Sequence, residues 1–150
     1  MSKHLVTWIV LADGSRARIV EPREIGSGFD VIEELASPEA HEPSRAIWAD
    51  RPGRTQESGS SARHAVEPRQ DPHEARKAAF SRLVAAQLNK AADEKKFDNL
   101  ILFAPPRCLA TLRAALDDAT SRKVQAAVPK DLTKLPLAEL ADHLVPLHLD

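Results

Sequence analysis

The chain has no tyrosine, one cysteine, five glycines and almost no net charge, and each shortage removes a class of protein. A lone cysteine, Cys108, supports neither an internal disulfide framework nor a cysteine-based zinc finger. Aromatics make up 4% of the residues, and Trp48 is the only one between Phe29 and Phe80. The interleaved stacking rings of a dedicated single-strand nucleic-acid binder are therefore missing. The longest uninterrupted apolar run near the start is Trp8–Ala12, far short of the ~20 residues of a membrane span. With no signal-peptide pattern either, a cytoplasmic location without membrane contact is expected. The 150 residues are 43% apolar and carry 21 basic and 22 acidic side chains, proportions that suit one globular domain over 1–150.

Net neutrality hides segregation. Residues 1–44 hold 4 basic and 8 acidic side chains, whereas residues 45–82 hold 8 basic and 5 acidic. Seven of those eight cations are arginine, whose planar fork suits phosphate better than the point charge of lysine. A solvated arginine-rich surface loop accounts for the same composition.

Leu5–Ala12 is a nearly continuous apolar stretch and reads as a central strand covered on both faces. Asp13-Gly14 then separates it from Arg16-Ala17-Arg18-Ile19-Val20, which predicts a tight hairpin with Gly14 at positive φ. In the second strand Arg16 and Arg18 share the exposed face. Pro22, Gly26 and Gly28 mark the next turn, and Phe29–Leu35 alternates as a third strand. Residues 37–71 contain four prolines, two glycines and the run Ser58-Gly59-Ser60-Ser61, with no period beyond Arg45-Ala46-Ile47-Trp48. A connection of that length exceeds the ~12–15 residues usual for unstructured loops in compact domains, so it is either functional or disordered.

Asp71-Pro72-His73-Glu74 is a strong helix start, with Asp as N-cap and Pro at the first helical position. Phe80, Leu83, Val84, Leu88, Ala91 and Ala92 follow as one apolar stripe. Leu100–Phe103 reads as a fourth strand, Pro105-Pro106 opens a helix with Leu109, Leu112 and Leu116 inward, and Lys123–Val128 is a fifth strand. Pro136–Leu144 reads as a last helix with Leu137, Leu140, Ala141 and Leu144 inward. The predicted class is α/β: a mixed five-stranded sheet in the order β-β-β-α-β-α-β-α, helices on both faces, the first strand central beside the fourth.

Catalytic constellations are weak. Metal-dependent nuclease chemistry needs clustered carboxylates, but Asp13 ends the first strand and Asp98 precedes the fourth, which puts them at opposite ends of parallel neighbours. Asp117 and Asp118 face different ways as a solvated helix end. His41, His64 and His73 with Asp50 and Asp71 show no recurrent ligand spacing, so no metal is expected. Cys108, in the second turn of its helix, has no defined His or Asn partner and reads as a small hydrophobe. What remains is the basic stretch at about 37–71, beside a helix N-terminus, suited to gripping RNA phosphates without reading sequence.

Several segments taken in order carry a resemblance: Asp13-Gly14-Ser15-Arg16-Ala17-Arg18, Arg51-Pro52-Gly53-Arg54, Arg63-His64-Ala65-Val66-Glu67-Pro68, Asp71-Pro72-His73-Glu74, Phe80 and Pro129-Lys130-Asp131-Leu132-Thr133. Over essentially its full length the chain resembles the bacterial family of proteins required for attachment to host cells. That family is similar to the middle domain of archaeal and eukaryotic class 1 translation release factors, which implies a ribonuclease H-like sheet. In release factors the long loop carries Gly-Gly-Gln. Here the corresponding stretch reads Gly59-Ser60-Ser61-Ala62-Arg63-His64, and neither Gln56 nor Gln70 follows a double glycine.

The combined expectation is a non-enzymatic, release-factor-like domain without cofactor, contacting ribosomal or other structured RNA. Arg51, Arg54, Arg63, His64 and Arg69 would be the phosphate contacts. The alternative is a protein-interaction module affecting host or surface attachment, with Trp48 as anchor. A hydrolase of unknown substrate is third.

Overall fold

The computed structural model of the protein describes residues 5–38 and 71–148. Three strands come first: β1 (Thr7–Ala12), β2 (Arg16–Pro22) and β3 (Phe29–Ala36). After α1 (Pro72–Asp93) come β4 (Asn99–Phe103), α2 (Pro106–Ala115), the short α3 (Asp118–Ser121) and β5 (Val124–Val128). A 3-10 turn (Leu137–Glu139), α4 (Leu140–Leu144) and a second 3-10 turn (Val145–Leu147) end the order. The sheet runs β3-β2-β1-β4-β5, with β1–β2 and β2–β3 antiparallel and β1–β4 and β4–β5 parallel. The mixed five-stranded α/β fold is therefore the observed one, with β1 central beside β4.

β1 is central because it has no charged residue to expose; from Trp8 to Ala12 every position is buried. Its side chains alternate between two cores, as the two-residue period of a strand demands. Trp8, Val10 and Ala12 meet α1 and α2 through Phe80, Val84, Leu88, Leu109 and Leu112. The Trp8 ring lies 4.9 Å from that of Phe97, and its indole N–H donates to Glu21 Oε1 at 3.1 Å. Ile9 and Leu11 face the other way, joining Val20, Ile101 and Phe103 under Leu132 and Leu140. Helical segments thus cover both faces. Among the described residues, no helix is long and apolar enough to cross a membrane.

Asp71 caps α1 as its sequence predicts, accepting the His73 N–H at 2.9 Å, with Pro72 at the first position. Six local expectations need correction. The third strand forms, but its burial does not alternate: Asp30, Val31, Ile32, Glu33 and Glu34 are all exposed at the edge of the sheet. Gly14 is not at positive φ; among the described glycines only Gly26 and Gly28 are. Leu83 is 43% exposed, and Ser81 and Ala85 complete the buried stripe of α1 instead. The last helix is shorter and broken, and Ala141 is exposed because the chain tightens into a 3-10 turn before it. Arg18 does not face solvent freely, since the C-terminal segment lies over that part of the sheet: its Nη2 donates to the Leu132 and Leu135 carbonyls at 3.1 and 2.8 Å. Cys108 sits in the first turn of α2, not the second.

Candidate functional site

The three parallel strands end at one edge, the position where ligands meet open α/β sheets. Leu11 is level with Phe103, and Phe103 with Val128, so the turns after β1, β4 and β5 gather there. Asp13 builds the first of them. Its Oδ1 accepts the N–H groups of Ser15 and Arg16, both at 2.8 Å, while its own N–H donates to the Arg16 carbonyl at 2.9 Å. The other oxygen, Oδ2, lies 3.3 Å from Thr133 Oγ1, which donates to Asp131 Oδ1 at 2.6 Å. Two segments more than a hundred residues apart are joined through one carboxylate. The β3 end arrives at the same turn, where the Ser37 N–H donates to the Ser15 carbonyl at 2.8 Å.

On the helix side of this turn, α1 and α2 border a groove of about 470 Å³, lined by Glu74, Lys77, Ser81, Arg107, Cys108 and Thr111 among others. Gly14 lets α1 approach: a Cβ there would collide with Lys77 Cγ and stand 2.8 Å from Cδ. The Lys77 stem therefore lies against the turn. Its ammonium is 3.6 Å from Glu74 Oε2, and Arg107 Nη1 is 3.4 Å from Glu74 Oε1. Burial pushes the Cys108 thiol above its ordinary pKa, against a smaller opposite effect of its hydrogen bond with Ser81. A buried thiol kept protonated is a poor nucleophile, in keeping with a packing role.

On the opposite face a second cleft of about 410 Å³ lies between Arg16, Arg18, Glu34 and Thr133. Arg18 ties β2 to the C-terminal segment there. Its Nε is buried without a hydrogen-bond partner among the described residues.

The sequence matches the family described as "Protein required for attachment to host cells" over residues 8–144. The chain belongs to this family. No curated protein matches this host-attachment family member significantly. Among solved structures, an archaeal translation termination factor is similar over 95% of this chain, with a TM-score of 0.48 and 15% identity. The chain spans 36% of the length of that factor.

Arg51, Arg54, Arg63, His64 and Arg69, and the alternative anchor Trp48, lie outside the described residues, as do His41 and Asp50. Their flanks do not: Ser37 is bonded to the Asp13–Arg16 turn, and Asp71 lines the helix-side groove. Asp13 and Asp98 are at opposite ends of β1 and β4, and Asp98 Oδ2 accepts the Val6 N–H at 2.8 Å. Among the described residues, no group of three or more His, Cys, Asp or Glu is placed to hold a metal ion. Sequence reasoning missed Arg107 and Thr133. The only signal for Thr133 was its segment, Pro129–Thr133, which the resemblance singled out without a role. Arg107 had none, because its place depends on how α2 packs.

Proposed function

We propose that this host-attachment family member is a cytoplasmic, non-enzymatic, release-factor-like domain that contacts ribosomal or other structured RNA. Arg51, Arg54, Arg63, His64 and Arg69 are its phosphate contacts. One observation carries the reading. The residues flanking this arginine-rich stretch, Ser37–Pro38 and Asp71, sit at the sheet edge that also presents Arg16, Lys77 and Arg107. The side chain of Arg107 is 83% exposed and that of Lys77 is 50% exposed. Basic groups distant in sequence thus share one border of the molecule with Asp13, Asp71 and Glu74, and it is the arginine-rich stretch between these flanks that supplies the excess positive charge for a phosphate backbone.

The test is co-sedimentation with ribosomal particles on sucrose gradients, with the salt dependence of RNA binding measured alongside. Replacing Arg51, Arg54 and Arg63 by Ala should abolish co-sedimentation and lower the slope of log K against log salt by roughly 2–3. Unchanged binding and slope would overturn the reading. A pull-down that survives nuclease and depends on Trp48 would select the protein-partner alternative instead.

A further inference from the structure

We infer that the groove between α1 and α2 is a subsite for one phosphate group, held by Lys77 and Arg107. The inference deepens the RNA-contacting reading and rests on it for one of two phosphate sources. The charge arrangement is its starting point. Two cations from different helices converge on a single carboxylate, Glu74, at 3.6 and 3.4 Å. Both separations exceed the ~2.7–2.9 Å of a charge-assisted N–H···O bond, so each is an ion pair open to solvent, with Glu74 as the shared counter-ion. Asp71, the other acid of the groove, has Oδ1 engaged with the His73 N–H in capping α1.

The surroundings supply what a phosphate needs. Pro105, at the N-cap of α2, offers no side-chain acceptor, which leaves the first-turn N–H groups of Arg107 and Cys108 as additional donors. Thr111 lines the same groove, as does Ser81, whose side chain is engaged with Cys108. Its volume, about 470 Å³, takes a phosphate with an attached sugar. Gly14 completes the design, because a Cβ there would occupy the space of the Lys77 stem and move the ammonium. An incoming phosphate with several acceptor oxygens displaces the single Glu74 carboxylate and closes on both cations.

The phosphate comes from an RNA backbone or from a free nucleotide, and the two are separable. The full-length ¹⁵N-labelled chain is titrated with inorganic phosphate and with a nucleoside 5′-monophosphate at constant ionic strength. Saturable shifts of the Arg107 and Cys108 amides are expected with both probes. The double variant Lys77→Ala/Arg107→Ala should weaken binding by about tenfold or more. Glu74→Gln should tighten it several-fold, since it removes the competing charge; a merely structural Glu74 would give no such gain. Absence of saturable shifts, nucleotide binding that survives the double variant, or Glu74→Gln without gain would each overturn the subsite. RNA binding weakened by the double variant assigns the phosphate to a nucleic-acid backbone; unchanged RNA binding with lost nucleotide binding assigns it to a free nucleotide. If Arg51, Arg54 and Arg63 prove dispensable for RNA while the titrations still saturate, the RNA reading falls and the subsite stands.

Discussion

Gly14 is the residue on which two elements depend. Its φ is ordinary, so the hairpin does not need glycine for a left-handed turn. It needs glycine for space: the nearest atoms to an added methyl are Lys77 Cγ, Cδ and Cβ, the last at 3.0 Å and fixed by the backbone of α1. The Asp-Gly pair in the sequence therefore points to the correct turn for the wrong reason, since Gly14 is not at positive φ and a close approach from α1 leaves no local trace. Gly14→Ala is expected to destabilise the fold by about 1–3 kcal/mol, as overpacking usually does. Lys77→Ala should recover part of that loss, since it removes Cγ and Cδ, the two nearest atoms, and leaves the Cβ contact at 3.0 Å. Thermal unfolding of the two single variants and the double variant measures the coupling. Additive effects would show that the clash is not the reason for glycine.

At the level of elements, most strands and helices were legible because hydrophobic period and end signals agreed. Asp71-Pro72 marked the start of α1, and the uncharged β1 and β4 marked the sheet centre. The edge strand was less legible. Along β2–β3 the register slips, so that Ile19 faces Glu33 and Val20 faces Val31, leaving Ile32 without a partner in the ladder. That irregularity, with exposed Asp30, Glu33 and Glu34, blunts an edge otherwise open to pairing with another chain. The four-residue α3 was also hidden, being too short for any periodicity. Its start is set by Asp117, whose Oδ1 accepts the Thr120 N–H at 2.8 Å. This backbone bond holds the Asp117 carboxyl below its ordinary pKa. A depressed carboxyl contributes stability above the unfolded value near pH ~4 and loses it as pH falls through the folded value. Asp117→Asn, which keeps an acceptor but cannot titrate, should therefore flatten the acid limb of the stability–pH curve below about pH 4. A limb of unchanged steepness, measured by urea unfolding at a series of pH values, would count against this role.

For the whole molecule, the decisive feature is that one sheet serves two cores with unequal covers. The α1–α2 side rests on long periodic helices and was readable from spacing alone. The other side is closed by residues 129–147, mostly turns, in which Leu132 and Leu140 are the buried side chains. That cover is fastened by hydrogen bonds no local pattern encodes: Arg18 to the Leu132 and Leu135 carbonyls, and Thr133 Oγ1 to Asp13. The helical period placed both Leu140 and Ala141 inward, but only Leu140 is, at 0% exposure. The two neighbours thus separate the cover's packing from its helicity. Leu140→Ala removes a fully buried side chain from the core that also holds Ile9, Leu11, Ile101 and Phe103, and should cost about 2–5 kcal/mol. Ala141→Gln, on an exposed position of the same short helix, should change stability by less than about 0.5 kcal/mol. Denaturant unfolding of both variants decides the matter. If Leu140→Ala were as mild as Ala141→Gln, the second face of the sheet would not be a closed core. If both were severe, the helical register of the C-terminal segment would be the one the period predicts, with Ala141 inward.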